Sequence, residues 1–122
     1  MVEDDTEMRA LLGQILRDRG YRVAAVPAPN RAMSVVEGLG EHDNPLYALD
    51  LVIVDWWMPS MTGGEFLAWL RDQNLNTPVI VISGYVAAEV VDAASEVGAA
   101  DILSKPFELD DFVDCIEHHL EG

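Results

Sequence analysis

Two unbroken apolar runs, LVIV (51–54) and VIVI (79–82), limit what this chain can become. Each has the length of a strand, and neither alternates with polar residues. A strand that is apolar at every position is buried on both faces, the condition of a strand inside a parallel sheet. Parallel neighbours cannot be joined by a tight hairpin and need a crossover, usually a helix. The rest of the chain supplies those crossovers. TEMRALLGQILRDRG (6–20) places Met8, Leu11, Leu12, Ile15 and Leu16 at helical spacing, with Asp5 or Thr6 to cap its start and Gly20 to close it. YRVAAV (21–26) reads as a short strand. NRAMSVVEGL (30–39) reads as a helix after the punctuation of Pro27 and Pro29, and GEHDNPLYA (40–48) as a surface loop.

The second half repeats the alternation. LDLVIV (49–54) is a buried strand and GGEFLAWLRDQN (63–74) a helix with Phe66, Leu67 and Leu70 inward. VIVIS (79–83) is a strand, AAEVVDAASEVG (87–98) a helix ended by Gly98, and ADILS (100–104) a strand. ELDDFVDCIEHHLEG (108–122) is a last helix with Leu109, Phe112, Val113, Ile116 and Leu120 on one face. Residues 1–122 therefore read as one α/β domain, a parallel sheet covered by helices on both faces. The chain stops directly after the last helix, so no second domain is expected to follow.

Composition excludes several classes. No apolar run approaches the ~20 residues of a membrane span. The opening MVEDDTEM is acidic, unlike a secretory signal, and the single cysteine, Cys115, excludes an internal disulfide and offers no metal-ligand spacing. The expected compartment is the cytoplasm. With 22 acids against 7 bases and a net charge of −15, the chain is a poor match for nucleic-acid phosphates or an anionic membrane surface. The plainest reading of that charge is solubility. Six of the bases are arginine, so Lys105 is the only internal ammonium.

In a sheet of this kind ligands bind at the carboxyl ends of the strands. The first strand ends at EDD (3–5), the third at Asp55, the fourth at Ser83 and the fifth at Lys105. One edge thus gathers Asp4, Asp5, Asp55, a hydroxyl and the sole lysine. Carboxylates within ~5 Å repel by roughly 3 kcal/mol per pair at an effective dielectric of ~20. A hard divalent cation such as Mg²⁺, which takes carboxylate, phosphate and water oxygens, offsets that repulsion. Asp5 alone is equally well explained as a helix cap. For the assembled set, capping is a poor explanation. A carboxylate beside Mg²⁺ can attack phosphorus to form an aspartyl phosphate, and an ammonium and a hydroxyl can hold the charge on the phosphoryl oxygens.

These residues resemble the receiver domain of two-component response regulators. The similarity covers nearly the whole chain and rests on VEDD (2–5), DWWMPSMTGG (55–64), VIVISGY (79–85) and LSKPF (103–107), in that order and spacing. It implies a flavodoxin-like, doubly wound (βα)5 sandwich with a five-stranded parallel sheet in the order 2-1-3-4-5. It implies that Asp55 is the phosphoacceptor, taking phosphate from a phosphohistidine. Asp4 and Asp5, with Asp55 and the backbone carbonyl of Trp57, would hold Mg²⁺. Lys105 would contact the phosphoryl group, with a cis bond to Pro106, and Ser83 would be the switch hydroxyl. Pro59 and Gly63 would shape the loop after Asp55. The partners implied are a sensor histidine kinase or a histidine phosphotransfer protein. A homodimer through the face of the fourth helix, fifth strand and fifth helix is a further option. The chain would not be an enzyme beyond catalysing its own phosphoryl transfer and dephosphorylation.

Three features depart from the family pattern. The first strand is cut short, with only Met1 and Val2 ahead of Glu3, and residues upstream of Met1 are expected to be missing. Ile102 stands where an aromatic usually rotates on activation, which leaves Tyr85 as a signalling substitute or an exposed loop residue. Trp56 and Trp57 form a bulky pair beside the acceptor. One of them suits the core, and Trp57 can shield the phosphoryl group from water.

Other functions fit less well. A haloacid-dehalogenase-type phosphatase wants a second Asp two residues after the nucleophile, where this chain has Trp57. A flavin carrier wants a Ser/Thr/Gly loop after the first strand, where EDDTE (3–7) would repel a phosphate. The remaining alternative is a degenerate receiver acting as a phosphorylation-independent docking module. His42, His118 and His119 lie at neither metal nor relay spacing, and His118 and His119 read as solvated. Cys115 reads as a small half-buried residue. Glu89, Asp92, Glu96, Asp101, Glu108, Asp110 and Asp111 make an acidic face that is solvated or meets a basic partner.

Overall fold

The computed structural model describes residues 1–42, 49–84 and 88–121. Residues 43–48 of the expected loop and the expected switch residue Tyr85 lie outside them. The chain groups into two compact units, Met1–Leu49 and Asp50–Gly122.

In the first unit, α1 (Thr6–Asp18) starts where Asp5 caps it, its Oδ1 accepting from Met8 N–H at 2.9 Å. Glu7 in the first turn and Arg17 in the last complement the helix dipole. Leu12 and Leu16 are buried. The helix ends on Gly20 at φ +92°, a left-handed conformation that costs a glycine little. Gly20 N–H bonds the Arg17 carbonyl and Tyr21 N–H bonds the Leu16 carbonyl, which satisfies two of the carbonyls a helix end leaves open. A second helix, α2 (Pro29–His42), opens on a proline, whose fixed φ suits a first turn. It runs longer than the 30–39 expected.

The first two expected strands are corrected to a single parallel bridge between Val2 and Val26. Val26 N–H donates to the Met1 carbonyl at 2.9 Å, and Glu3 N–H donates to the Val26 carbonyl at 3.1 Å. Two causes are visible. The apolar run before the acids is only two residues long. Downstream, the Val23 carbonyl accepts from the Arg17 guanidinium at 3.1 Å rather than from a strand.

The second unit holds a parallel three-stranded sheet in the order β1 (Val52–Asp55), β2 (Val79–Ser83), β3 (Asp101–Ser104). The expected five-stranded ladder is therefore three-stranded among the described residues. Register pairs Val52 with Val79, Asp55 with Ile82, Ile80 with Asp101 and Ser83 with Ser104. Every residue of β1 and β2 is buried, as their continuous apolar patterns require, whereas β3, which opens on Asp101 and closes on Ser104, is only partly covered. The crossovers are α3 (Gly63–Asp72), α4 (Ala88–Glu96) and, after β3, α5 (Leu109–Glu121) follows. Their apolar positions Phe66, Leu67, Leu70, Val90, Ala94, Phe112, Val113 and Ile116 are buried. Helix α3 ends on Asn74 at φ +62° and α4 is followed by Gly98 at φ +86°, the same left-handed stop used after α1.

Candidate functional site

Parallel register brings the ends of β1, β2 and β3 to one edge. The ladder continues a residue beyond each strand. Trp56 N–H bonds the Ile82 carbonyl at 2.8 Å, and Lys105 N–H bonds the Ser83 carbonyl at 2.7 Å. That alignment sets Asp55, Ser83 and Lys105 on successive rows of the ladder at this edge, Asp55 beside Ile82, Ser83 beside Ser104, and Lys105 one residue beyond. Asp55 is 5% exposed and Ser83 is fully buried. The Lys105 ammonium reaches across, its Nζ 2.9 Å from Asp55 Oδ2. Trp57 N–H donates to the other oxygen, Oδ1, at 3.2 Å. A carboxylate with so little access to water needs such partners. The Lys105–Pro106 peptide is cis, as the resemblance implied.

The turn after Asp55 is held from both sides. Gly63 N–H donates to the Trp56 carbonyl at 2.8 Å, and Trp57 and Thr62 form an antiparallel bridge. Thr62 then caps α3. Its Oγ1 accepts from Glu65 N–H at 3.1 Å, while Glu65 Oε1 accepts from Thr62 N–H at 3.3 Å. The sequence signal for this box is Thr followed three residues later by Glu, in TGGE (62–65). A Cβ on Gly63 would lie 2.8 Å from the Asp55 carbonyl oxygen, and one on Gly64 would lie 2.6 Å from Trp56 Cη2. The two glycines thus let α3 close against the end of β1. The tryptophan pair divides its labour: Trp56 is buried at 6% exposure, and Trp57 is 51% exposed.

In the first unit Asp4 and Asp5 are exposed, and Asp5 Oδ1 is engaged in capping α1. The bland reading of Asp5 thus holds for one of its two oxygens. The donors implied for Mg²⁺ are the carboxylates of Asp4, Asp5 and Asp55 and the Trp57 carbonyl. All are hard oxygens, and this chemistry fits a hard divalent cation. Ile102, in place of the usual aromatic, is half-buried in β3. At the other end of β3 sits a group that sequence reading missed, in which Cys115 and His119 meet Asp101.

An aspartate, a lysine and a serine thus gather at the carboxyl edge of a parallel α/β sheet, the edge at which proteins of this class bind ligands. A sequence profile of the response regulator receiver domain matches residues 1–117, and the chain belongs to that family. It is 35% identical over 111 residues to the transcriptional regulatory protein TcrA of Mycobacterium tuberculosis, covering 91% of this chain and 41% of that one. The chain thus spans about two fifths of that relative's length. It is 33% identical over 112 residues to the two-component response regulator ORR5 of Oryza sativa subsp. japonica, covering 90% of this chain and 78% of that one. The receiver domain of Francisella response regulator 1452 has the same CheY-like fold, with a TM-score of 0.82 at 25% identity over 98% of this chain and 93% of that one. Among the described residues, no helix is long and apolar enough to cross a membrane.

Proposed function

We propose that this chain is a phosphorylation switch of a bacterial-type two-component system in the cytoplasm, with Asp55 as its acceptor. The observation that carries the reading is the Lys105 ammonium 2.9 Å from a nearly buried Asp55 carboxylate. An oxygen of Asp55 attacks the phosphorus of a phosphohistidine on a sensor kinase or phosphotransfer protein. The P–N bond breaks and the imidazole leaves. Lys105 moves its charge from the carboxylate to the phosphoryl oxygens, and the Ser83 hydroxyl donates to one of them. Asp4, Asp5, Asp55 and the Trp57 carbonyl would hold Mg²⁺, which would supply neutralising charge there. The five-stranded order 2-1-3-4-5 is the sheet that would place Asp4 and Asp5 for this. No external substrate turns over, so the chain is not an enzyme in that sense. The output is altered affinity at the face of α4, β3 and α5. Because that face is acidic, a basic partner suits it better than a second copy of itself.

Incubation with acetyl phosphate tests this. Intact mass should rise by one phosphoryl group with Mg²⁺ and stay unchanged without it. No gain in protein shown by circular dichroism to be folded would replace the switch with the docking-module reading.

The half-exposed Trp57 indole gives a second expectation. Trp57→Ala keeps the backbone N–H on Asp55 Oδ1 but removes the shield. Loss of the phosphoryl group should speed up about 3–10-fold, a barrier change of ~1 kcal/mol. An unchanged decay of the phosphorylated mass would remove Trp57 from the mechanism.

A further inference from the structure

Sequence spacing alone set aside Cys115 and the histidines, but the tertiary structure gathers two of these residues with Asp101. Cys115 and His119 stand one turn apart on α5, on the same face. Asp101 is the first residue of β3. One ligand atom from each lies within 4.8 Å of the other two. Cys115 Sγ is 3.5 Å from Asp101 Oδ2, and His119 Nε2 is 3.2 Å from the same oxygen. These separations have a meaning in coordination chemistry. With Zn–S near 2.3 Å and Zn–N and Zn–O near 2.0–2.1 Å, a tetrahedron has S···O edges of about 3.5 Å and N···O edges of about 3.3–3.4 Å. His118 packs edge-on against the His119 ring, with centroids 5.1 Å apart and planes at 80°, which restricts how that imidazole turns.

We propose that Asp101, Cys115 and His119 form a binding site for a zinc-class transition-metal ion, with water in the fourth position. Thiolate, imidazole and carboxylate are the ligand set such ions prefer, whereas Mg²⁺ takes oxygens alone. The two metals are therefore sorted to opposite edges of the sheet. Asp101 opens β3 and Lys105 follows its end, a separation of about 13 Å along the strand at ~3.3 Å per residue. Without metal the thiol keeps its proton: burial first, and then the Asp101 charge, push it up to about 12. Asp101 is raised by burial, but hydrogen bonds from His119, Ile102 N–H and Cys115 outweigh this and lower its pKa. On coordination the thiol proton passes to solvent, and sulfur, nitrogen and oxygen turn their lone pairs to the ion. The ion then ties α5 to β3 within the face proposed for output. The site does not depend on Asp55 being an acceptor.

The test is a titration of the reduced chain with Zn²⁺ alone in a large excess of Mg²⁺, followed by native mass spectrometry. Co²⁺ then serves as a spectroscopic probe. One Zn²⁺ per chain is expected, and the Co²⁺ form should show a thiolate-to-cobalt charge-transfer band. Cys115→Ser should abolish the band and weaken Zn²⁺ binding about 100-fold or more, and the gentler His119→Gln should weaken it at least ~10-fold. Asp55→Asn should change neither. The site is overturned if folded protein takes up no Zn²⁺, if Co²⁺ binds without the band, or if Zn²⁺ binding follows Asp55 rather than Cys115. In those cases the three side chains are a hydrogen-bonded strut and nothing more.

Discussion

Asp55→Asn is expected to abolish the gain of a phosphoryl group from acetyl phosphate. The change is nearly isosteric. Asparagine keeps an oxygen for the Trp57 N–H that reaches Asp55 Oδ1 at 3.2 Å, so the turn after β1 keeps its anchor. It lacks the anionic oxygen proposed to attack phosphorus, the one that lies 2.9 Å from Lys105 Nζ. A carboxamide oxygen is a poor nucleophile. The expected mass change is zero at any Mg²⁺ concentration, with the circular dichroism spectrum retained. A phosphoryl group that persisted in the Asn variant would place the acceptor elsewhere.

Gly63→Ala is expected to destabilise the fold and damage the site together. The added Cβ would sit 2.8 Å from the Asp55 carbonyl oxygen and 3.1 Å from Trp56 Cα. Both are backbone atoms, which cannot swing aside as a side chain can. Either α3 backs away, which strains the Gly63 N–H bond to the Trp56 carbonyl, or the end of β1 shifts and takes the Asp55 carboxylate with it. Overpacking of this kind costs about 1–3 kcal/mol. Thermal unfolding should show it as a drop of several degrees, and phosphorylation should slow as well. Gly38→Ala is the contrasting change. Gly38 lies in α2 with nothing within 4 Å of a new Cβ, so alanine there should stabilise by up to ~1 kcal/mol through helix propensity. A melting temperature for Gly63→Ala at or above wild type would mean the close approach is not structural.

Much of this was readable in the residue order. Residues 52–54 of the first run and 79–82 of the second lie in the buried β1 and β2, because continuous apolar character has few other uses in a strand, while Leu51 stays outside β1 and half-buried. Gly20 and Gly98 marked helix ends, because a left-handed residue costs least at glycine. Asp55, Ser83 and Lys105 could be placed at one edge from their position after each strand, since parallel strands share a direction. Strand content in the first unit was overestimated: Tyr21–Val26 has strand-like composition, but a ladder needs a partner of matching length, and Val2 alone supplies it. The tryptophans could not be divided from sequence either. Which indole is buried depends on where the glycines let α3 close in.

The residue order by itself determined the alternation of strand and helix in the second unit and which side chains stand at its strand ends, because both follow from local periodicity and strand direction. Tertiary structure alone decided the pairs that join distant residues. Lys105 meets Asp55 across 50 positions, and His119 and Cys115 meet Asp101 across a strand and a turn. Spacing along a chain says nothing of such meetings until strand register and helix rotation bring the atoms within about 3 Å, where hydrogen bonds and metal coordination act.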